Sequence, residues 1–315
     1  MPNGRPMIEL VHLRRSFGQT RAVDDVSFQV HAGQVFGYIG PNGAGKTTSM
    51  RILATLDLPN GGDAFVDGFS VLNDPDRVRR RLGFMPDSFG TYADVNVLEY
   101  LDFYARAYHL RGQDRRRAVA KVMQFTALDT LAEKPINGLS KGMKQRLCLG
   151  RTLIHDPPVL VLDEPAAGLD PRARIELREM IRALARQGKT VLISSHILTE
   201  LAEMCDVVGI IERGKLIAGG TVEEIHRAYE TPHALVEVRL IENGSGLGQW
   251  LVREPRASRI DAAEQIVRFS FTGDAAAQAD LLREIIAAGF RVSAFGAKRQ
   301  SLEDVFMKVT QGLVQ

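Results

Sequence analysis

The sequence predicts an α/β protein whose core is a largely parallel β-sheet. From residue 8 to about residue 218, short runs rich in Val, Ile and Leu alternate with longer amphipathic helical patterns, as expected where helices cover a parallel sheet. Residues 159–162 and 190–194 are nearly continuous apolar runs, which are typical of strands buried on both faces.

The bulk composition fits a globular protein with a full-sized core. Of the 315 residues, 45% are hydrophobic and 25% are charged, and this length allows one large domain with a smaller appended one. The 40 basic and 38 acidic residues nearly balance, which argues against direct binding to nucleic acid through a pervasive positive field. No apolar run approaches the roughly 20 residues that span a bilayer, and the first residues lack the pattern of a secretory signal.

Two alternating strands are the first predicted elements. Residues 8–13 and 25–30 alternate apolar and polar side chains with a period of two. This pattern is typical of an antiparallel sheet with one face in solvent.

A glycine-rich loop follows, between a predicted strand at residues 35–39 and a predicted helix at residues 47–56. The loop matches G-x-x-x-x-G-K-[ST], the pattern that wraps nucleotide phosphates, at Gly40, Pro41, Asn42, Gly43, Ala44, Gly45, Lys46 and Thr47. Its glycines let backbone N–H groups face phosphate oxygens, its lysine reaches the β- and γ-phosphates, and its threonine hydroxyl ligates Mg²⁺. Together with Thr48 these residues form the predicted nucleotide site. A glycine-rich turn without a ligand is the alternative, which the strand–loop–helix context disfavours.

Two motifs later in the chain have chemistry that suits the same reaction. Residues 139–146 run into a helical pattern, and Ser140 is the predicted N-cap, although a capped helix alone would explain this segment. The buried strand at residues 159–162 ends in Asp163 and Glu164. Asp163 is placed to hold Mg²⁺, through water, and Glu164 to orient or deprotonate the water that attacks the γ-phosphate.

Five motifs in this order resemble the ATP-binding subunits of ABC transporters, over about residues 8–220. They are the phosphate loop, residues 139–143, residues 159–164, the turn at residues 167–170, and His196. The tail at residues 301–306 is similar to the C-terminal extension of the ABC-2 type exporter subgroup, which includes drug-resistance ATPases. The resemblance implies a P-loop NTPase of ABC type, with a mixed and largely parallel core sheet, an antiparallel β subdomain and a helical insertion, followed by a small C-terminal α+β domain.

The resemblance also implies roles for single residues. Phe17 would stack on adenine, with a core phenylalanine as the alternative, and His196 would contact the γ-phosphate. Asp170 lies in the turn that communicates across a dimer interface. Ser140 and Gly142 would bind the γ-phosphate of the ATP held by the other subunit, which implies a head-to-tail dimer with two Mg²⁺–ATP at its interface.

The chain departs from the family pattern at three positions. Asp87 stands where the family usually has glutamine, and Lys141 and Met143 replace the usual second glycine and the glutamine of the signature. A carboxylate at position 87 can approach Mg²⁺ but cannot donate a hydrogen bond. We therefore expect Asp87 to act as a metal contact or as a hinge into the helical insertion.

The predicted domains are an ATPase domain at residues 1–230, with a helical subdomain at about 88–155, and a ferredoxin-like accessory domain at residues 231–315. The accessory domain has strand patterns at 235–240, 265–271 and 290–295 and helical patterns at 274–288 and 301–310, after a hinge at 231–232. The helical insertion is rich in aromatic residues, at Phe89, Tyr92, Tyr100, Phe103, Tyr104 and Tyr108. Such enrichment suits either a groove for a helix of the membrane subunit or ordinary helical packing.

The predicted function is an ATP-hydrolysing subunit that dimerises with a second copy and powers transport, in the export direction, by a separate integral membrane permease. Its expected location is the cytoplasmic face of the cell membrane. The alternative is a soluble ABC ATPase that acts on nucleic acid or ribosomes; such proteins usually carry paired ATPase units or long coiled coils, which are not visible in the sequence. A module that binds ATP without turnover is a third hypothesis, and the presence of Lys46, Glu164 and His196 disfavours it.

Overall fold

The structure is a computed structural model that describes residues 5–88, 90, 94–197, 201, 204–229 and 233–298. The chain divides into two compact units, Met1–Val222 and Glu223–Gln315. The predicted domain boundary after residue 230 stays a prediction. The expected hinge at 231–232, the last helix at 301–310 and the tail motif at 301–306 lie outside the described residues.

The described strands have the following bounds: β1 Pro6–Phe17, β2 Thr20–His31, β3 Val35–Ile39, β4 Gly61–Val66, β5 Phe69–Ser70, β6 Leu82–Met85, β7 Val159–Leu162, β8 Thr190–Ser195, β9 Val207–Glu212, β10 Lys215–Gly220, β11 His233–Leu240, β12 Ala257–Ala263, β13 Ile266–Thr272 and β14 Val292–Lys298. The described α-helices are α1 Lys46–Leu53, α2 Pro75–Arg81, α3 Val97–Ala107, α4 Gly112–Phe125, α5 Lys141–Leu153, α6 Pro171–Arg186, α7 Val222–Tyr229, α8 Ser245–Leu251 and α9 Ala275–Ala287. Short 3-10 turns lie at Asp129–Leu131 and Ile136–Gly138.

A mixed sheet of six strands is the centre of the larger unit. Its strand order is β10-β9-β3-β8-β7-β6, and all neighbours are parallel except β10, which pairs with β9 in the antiparallel direction. Every residue of β3, β7 and β8 is buried, as the continuous apolar runs predicted. The prediction of a largely parallel core sheet is confirmed.

An antiparallel sheet of four strands, in the order β2-β1-β4-β5, accompanies the central sheet. β1 and β2 pair along nearly their whole length, which confirms the antiparallel part predicted from the period of two. Buried side chains of this sheet, such as Ile8 and Val26, share one apolar cluster with Tyr38 of β3 and Met50 of α1. The hydrophobic effect therefore joins the antiparallel sheet to the strand and helix that flank the phosphate loop.

The parallel strands bring separate segments of the chain to one edge of the sheet. β3 ends just before the phosphate loop, β6 ends two residues before Asp87, β7 ends just before Asp163 and β8 ends just before His196. Because parallel strands align their carboxyl ends, the loops that follow them meet at the same edge, where ligands bind in open α/β sheets. The topology therefore brings the predicted site residues that follow β3, β6, β7 and β8 to one edge of the sheet, although they lie far apart in sequence.

The helix after the phosphate loop is shorter than predicted. It ends at Leu53 rather than near residue 56, because Thr55 adopts a left-handed φ of 59°. The Thr55 N–H donates to the Ile52 carbonyl and the Leu56 N–H donates to the Arg51 carbonyl, which is the hydrogen-bond pattern of a Schellman motif. This motif is formed here by a threonine, so the sequence carries no glycine signal for the end of the helix.

The smaller unit has the element order β11-α8-β12-β13-α9-β14 and one antiparallel sheet in the order β12-β13-β11-β14. This is the β-α-β-β-α-β order of ferredoxin-like motifs. Its core contains Val236, Phe269, Phe271, Leu281 and Ile285. The sequence patterns missed α8 and β12, because α8 is a short glycine-containing helix and β12 has little β-branched content.

Among the described residues, no helix has the length and apolar character that crossing a bilayer requires.

Candidate functional site

The phosphate loop requires glycine at Gly40 and at Gly45 because the backbone of other segments lies close to both. A Cβ on Gly40 would collide with the Ile211 carbonyl, and a Cβ on Gly45 would collide with the Ala22 carbonyl. Gly45 also has a φ of 109°, which residues with a Cβ rarely adopt. No side chain caps the start of α1, so the first N–H groups of this helix are available to an anion.

Lys46 lies across the loop that precedes it. Its side chain is only 5% exposed, and Nζ donates to the carbonyls of Gly40 at 2.6 Å and Pro41 at 3.2 Å. The same ammonium group lies 3.4 Å from Glu164 Oε1. The structure therefore brings the lysine of the loop and the proposed base of the β7 segment into one site.

Asp163 is a buried carboxylate with one unpaired oxygen. Oδ1 accepts a hydrogen bond from Ser194 Oγ at 2.6 Å, whereas Oδ2 is buried and makes no hydrogen bond with any described residue. Burial raises the pKa of Asp163, and the charges of Asp87 and Glu164 add to the increase, while the hydroxyls of Ser194 and Thr47 oppose it. An unpaired buried carboxylate oxygen is costly, so this atom is placed to receive a cation or a donor.

Glu164 is held in place from both its backbone and its side chain. Its φ of 47° lies in the left-handed region, which non-glycine residues occupy at a cost and mostly at functional sites. Its N–H donates to Ser194 Oγ at 2.8 Å, and Oε2 lies 2.8 Å from His196 Nδ1. The predicted catalytic pair of Glu164 and His196 is therefore in direct contact.

Ser194 is the residue of this site that the sequence patterns did not identify. Its hydroxyl donates to Asp163 and accepts from the Glu164 N–H, so one side chain orients both acidic residues. The available signal was a polar residue near the carboxyl end of a buried strand adjacent to β7. Whether Ser194 lies beside Asp163 depends on the register between β7 and β8, in which Leu162 pairs with Ile193.

We expect Ser194→Ala to lower both stability and hydrolysis. The change leaves the buried Asp163 Oδ1 and the Glu164 N–H without a partner, at a cost of about 1–3 kcal/mol in the free energy of unfolding. The hydrolysis rate should fall about tenfold or more, because the carboxylates lose their common support. Thermal unfolding and steady-state hydrolysis measure the two effects. Ser245→Ala in the smaller unit is the matched control, and equal behaviour of the two variants would contradict the role of Ser194.

The predicted metal residues converge only in part. Thr47 and Asp163 lie close enough for the threonine hydroxyl to act on the pKa of Asp163, and Asp87 is close enough for its charge to do so. Asp87 is exposed, and its Oδ1 accepts from Ser88 Oγ at 3.3 Å. Within the described ranges, no group of three or more His, Cys, Asp or Glu side chains forms a metal cage.

The residues predicted to act on a second nucleotide form a separate cluster. Ser140 caps α5 by accepting from the Met143 N–H at 3.3 Å, and Asp170 caps α6 by accepting from the Ala173 N–H at 2.9 Å. A Cβ on Gly142 would lie 3.2 Å from Ala173 Cβ, so the missing side chain lets the two helix starts approach each other. Throughout the described part of the chain, no hydrogen bond or ion pair joins Ser140, Gly142 or Asp170 to the phosphate loop.

Phe17 is an exposed aromatic residue at the end of β1. Its side chain is 49% exposed, which excludes the alternative of a fully buried core phenylalanine. The Arg15 guanidinium carbon lies 4.5 Å from the ring centroid, and Arg15 is held by an ion pair of 2.7 Å with Asp57. This cation–π contact positions the ring.

The aromatic residues of the insertion divide between core and surface. Tyr100 is buried, whereas Phe103 and Tyr108 are exposed, and Phe89 and Tyr92 lie outside the described residues. Tyr104 and Tyr108 line a groove of about 320 Å³, together with Leu56, Phe84 and Arg151. Helical packing therefore accounts for Tyr100, whereas the interpretation of the other residues as an interface groove stays a prediction.

Comparison with known proteins identifies both parts of the chain. A family profile described as "ABC transporter" matches residues 23–167, and one described as "ATP-binding protein DrrA1-3-like, C-terminal domain" matches residues 220–310. The Nod factor export ATP-binding protein I of Ralstonia nicotianae is 38% identical over 220 residues, which cover 70% of this chain and 68% of that protein. The uncharacterized ABC transporter ATP-binding protein YxlF of Bacillus subtilis is 33% identical over 96% of this chain and 99% of its own length. The probable multidrug ABC transporter ATP-binding protein YbhF of Escherichia coli is 37% identical over 222 residues. These residues cover 70% of this chain and 38% of that protein.

Solved structures show the same fold. The ATP-binding subunit of an ABC transporter is 29% identical, with a TM-score of 0.65 over 71% of this chain and 93% of that chain. A bacterial ABC transporter cassette solved as a dimer is 23% identical, with a TM-score of 0.62 over 68% of this chain and 98% of that chain, and this likeness concerns the fold alone. The predicted fold class is confirmed.

Proposed function

This chain belongs to the family of ABC transporter ATP-binding proteins, which are ATPases, and from that premise we propose that two copies enclose two Mg²⁺–ATP and power export by a separate membrane-spanning permease. The observation that carries the proposal is the division of the predicted site residues. Glu164 contacts both Lys46 and His196, whereas Ser140 and Asp170 cap helices for which no hydrogen bond to these three residues is found among the described residues.

We assign nucleotide binding to the phosphate loop and Phe17. The loop residues Gly40, Pro41, Asn42, Gly43, Ala44, Gly45, Lys46, Thr47 and Thr48 supply N–H groups, an ammonium group and hydroxyls to the phosphates. Phe17 offers an exposed aromatic face for the adenine base. Arg15 fixes the orientation of that ring, which lowers the entropy lost on stacking.

The residues near Asp163 fit Mg²⁺. The unpaired buried Oδ2 atom of Asp163 and the Thr47 hydroxyl are oxygen ligands, and Asp87 adds a nearby carboxylate. A set with few protein ligands suits Mg²⁺, which usually keeps waters and binds substrate phosphates. When bound, Mg²⁺ neutralises charge that develops on the phosphate oxygens.

Glu164 and His196 act on the attacking water and the γ-phosphate in this proposal. The Glu164 carboxylate accepts the proton of the water or orients it. Because an ionised carboxylate can only accept, the Nδ1 atom of His196 carries the proton in its contact with Oε2. The neutral ring then leaves Nε2 as an acceptor, whereas the doubly protonated ring can donate from Nε2 to a phosphate oxygen.

A second copy completes the site. Ser140, Gly142 and Asp170 stand at the starts of α5 and α6, and a helix start attracts anions. If these helices served the chain's own nucleotide, contacts with the phosphate loop would be expected. We therefore assign them to the γ-phosphate held by the partner copy, in a head-to-tail dimer.

The permease docks in the groove beside α3 in this proposal. Tyr104 and Tyr108 supply aromatic surface, and Tyr108 stacks on His155 with the ring centroids 3.8 Å apart. Exposed aromatic residues around a groove favour a protein partner. Such docking places this chain at the cytoplasmic face of the membrane, and the names of the Nod factor and multidrug relatives support export.

The alternative of an ATPase that acts on nucleic acid or ribosomes receives no support from the relatives, which are transporter subunits. The near balance of 40 basic and 38 acidic residues also disfavours it.

The proposal can be tested by measuring how the rate of ATP hydrolysis depends on protein concentration. Because each site needs two copies, the rate per chain should rise with concentration and then level off as dimers form. We also expect the chain to co-purify with an integral membrane partner. Addition of the transported substrate to this complex should stimulate ATP hydrolysis. A constant rate per chain over a hundredfold dilution would refute the shared site, and stimulation by RNA or ribosomes without a membrane partner would favour the alternative.

A further inference from the structure

The short segment at residues 57–60, which connects α1 to β4, is fastened to the end of β1. The Asn60 N–H donates to the Arg14 carbonyl at 2.7 Å. The Asn60 side-chain oxygen accepts from the Ser16 N–H, also at 2.7 Å. These two hydrogen bonds hold the backbone of β1 on either side of Arg15.

Asp57, the first residue of this segment, holds the side chain of Arg15. Arg15 Nη2 lies 2.7 Å from Asp57 Oδ1, and the two side chains are only 21% and 16% exposed. The Leu58 N–H donates to the same Oδ1 atom at 3.0 Å, which fixes the carboxylate. Solvent screens a mostly buried pair less than an exposed one. The contact therefore holds Arg15 more firmly than the exposed ion pair between Arg14 and Asp25 holds its arginine.

The Arg15 guanidinium in turn covers one face of the Phe17 ring. Its central carbon lies over that ring, 4.5 Å from the centroid, while the ring as a whole stays exposed. A planar base can therefore stack only on the opposite face. The cation–π attraction fixes the direction of this face before a base arrives, so less entropy is lost on binding.

The segment at residues 57–60 also follows directly on the helix of the phosphate loop. That helix, α1, begins at Lys46 and ends at Leu53, and the left-handed Thr55 turns the chain toward residue 57. It has eight residues, which corresponds to a length of about 12 Å. The phosphate loop precedes this helix and the segment that holds Phe17 follows it. One short, rigid element therefore connects the predicted phosphate site with the predicted base site.

We propose that Asp57 is a positioning residue for the adenine base and acts through Arg15 on Phe17, an inference that rests on the adenine-stacking role of Phe17 in the proposed function. The carboxylate holds the guanidinium, the guanidinium holds the ring, and the ring receives the base. Removal of the carboxylate charge weakens binding of the base and leaves the phosphate site as it is.

The test compares the binding of Mg²⁺–ATP with that of Mg²⁺–tripolyphosphate, which has the three phosphates but no base. Asp57→Asn removes the charge that faces Arg15 but keeps the side-chain size and an acceptor oxygen for the Leu58 N–H. In isothermal titration calorimetry it should raise the dissociation constant of ATP about fivefold, which is within the contribution of an aromatic stack. The dissociation constant of tripolyphosphate should not change. In steady-state hydrolysis KM should rise and kcat should stay the same, because only ground-state binding is lost.

Asp25→Asn is the matched control, because it removes the carboxylate that pairs with the neighbouring Arg14 of the same strand. It should change neither dissociation constant. A double-mutant cycle then locates the effect at the ring. Phe17→Ala alone should raise the dissociation constant of ATP about tenfold, and Asp57→Asn should add nothing in that background.

Equal ATP affinities for the parent and Asp57→Asn, with Phe17→Ala weakened as expected, would overturn this inference and leave the role of Phe17 standing. A further fivefold loss from Asp57→Asn in the Phe17→Ala background would also overturn it, since Asp57 would then act independently of the ring. An equal loss of affinity for tripolyphosphate would assign Asp57 to general stability instead. If Phe17→Ala binds ATP as tightly as the parent, the adenine site of the proposed function fails together with this inference.

Discussion

Replacing Glu164 with glutamine should reduce steady-state hydrolysis by about a thousandfold, within the range that general-base residues contribute. The amide can still accept from His196 Nδ1, which lies 2.8 Å from Oε2, so the geometry of the pair is retained. The amide cannot take a proton from water. It also removes a negative charge that lies 3.4 Å from Lys46 Nζ, which should strengthen binding of the anionic nucleotide.

The variant should therefore retain ATP and accumulate as a dimer. Size-exclusion chromatography with light scattering, with ATP and with ADP, measures the dimer, and phosphate release measures turnover. Glu133→Gln is the matched control, because Glu133 is an exposed glutamate of the helical insertion. Hydrolysis within tenfold of the parent would assign the base to another residue.

Replacing Asp163 with asparagine should stabilise the free chain but greatly lower its rate of ATP hydrolysis. Burial disfavours the charged carboxylate and raises its pKa, and one oxygen has no hydrogen-bond partner among the described residues. The neutral amide removes the cost of the buried charge, and its oxygen can still accept from Ser194 Oγ. We expect a gain of about 1 kcal/mol, which is about 2–4 °C in melting temperature for a domain of this size.

The same change should lower hydrolysis at least a hundredfold, because the carboxylate charge that would hold Mg²⁺ is lost. Differential scanning fluorimetry without ligand and with Mg²⁺–ATP separates the two effects: the melting temperature should rise without ligand, and the increase on adding Mg²⁺–ATP should shrink. Asp261→Asn, at an exposed position on β12, is the control. A lower melting temperature of the Asp163→Asn variant without ligand would show that the buried carboxylate does not destabilise the free chain.

The sequence predicted the elements whose signals are local. Apolar runs identified β3, β7 and β8, and the phosphate loop was recognisable because each residue type in it has a chemical reason. The start of α5 was recognisable from Ser140. These features depend on residues that are close together in the sequence, so the sequence alone predicts them.

Errors and omissions arose where the residue type gives no local signal or where distant segments decide. The end of α1 depends on a threonine in a left-handed conformation, and α8 and β12 are stabilised by packing in the smaller unit rather than by strong patterns. Ser194 was missed because its importance comes from the register between β7 and β8. The approach of the Lys141 side chain to Gly168 brings the start of α5 to the turn before α6, and neither residue alone predicts it.

The sequence by itself thus determined the family, the α/β class and the chemical types at the site, because glycines, a lysine, carboxylates and a histidine in fixed order suit phosphate chemistry. Only the tertiary structure decided which oxygen of Asp163 stays unpaired, that Glu164 contacts both Lys46 and His196, and where the charge of Lys141 lies. The physical reason is that hydrogen bonds and burial act over a few ångströms between residues far apart in the chain. Such distances are set by strand register and helix packing, which the linear order of residues does not contain.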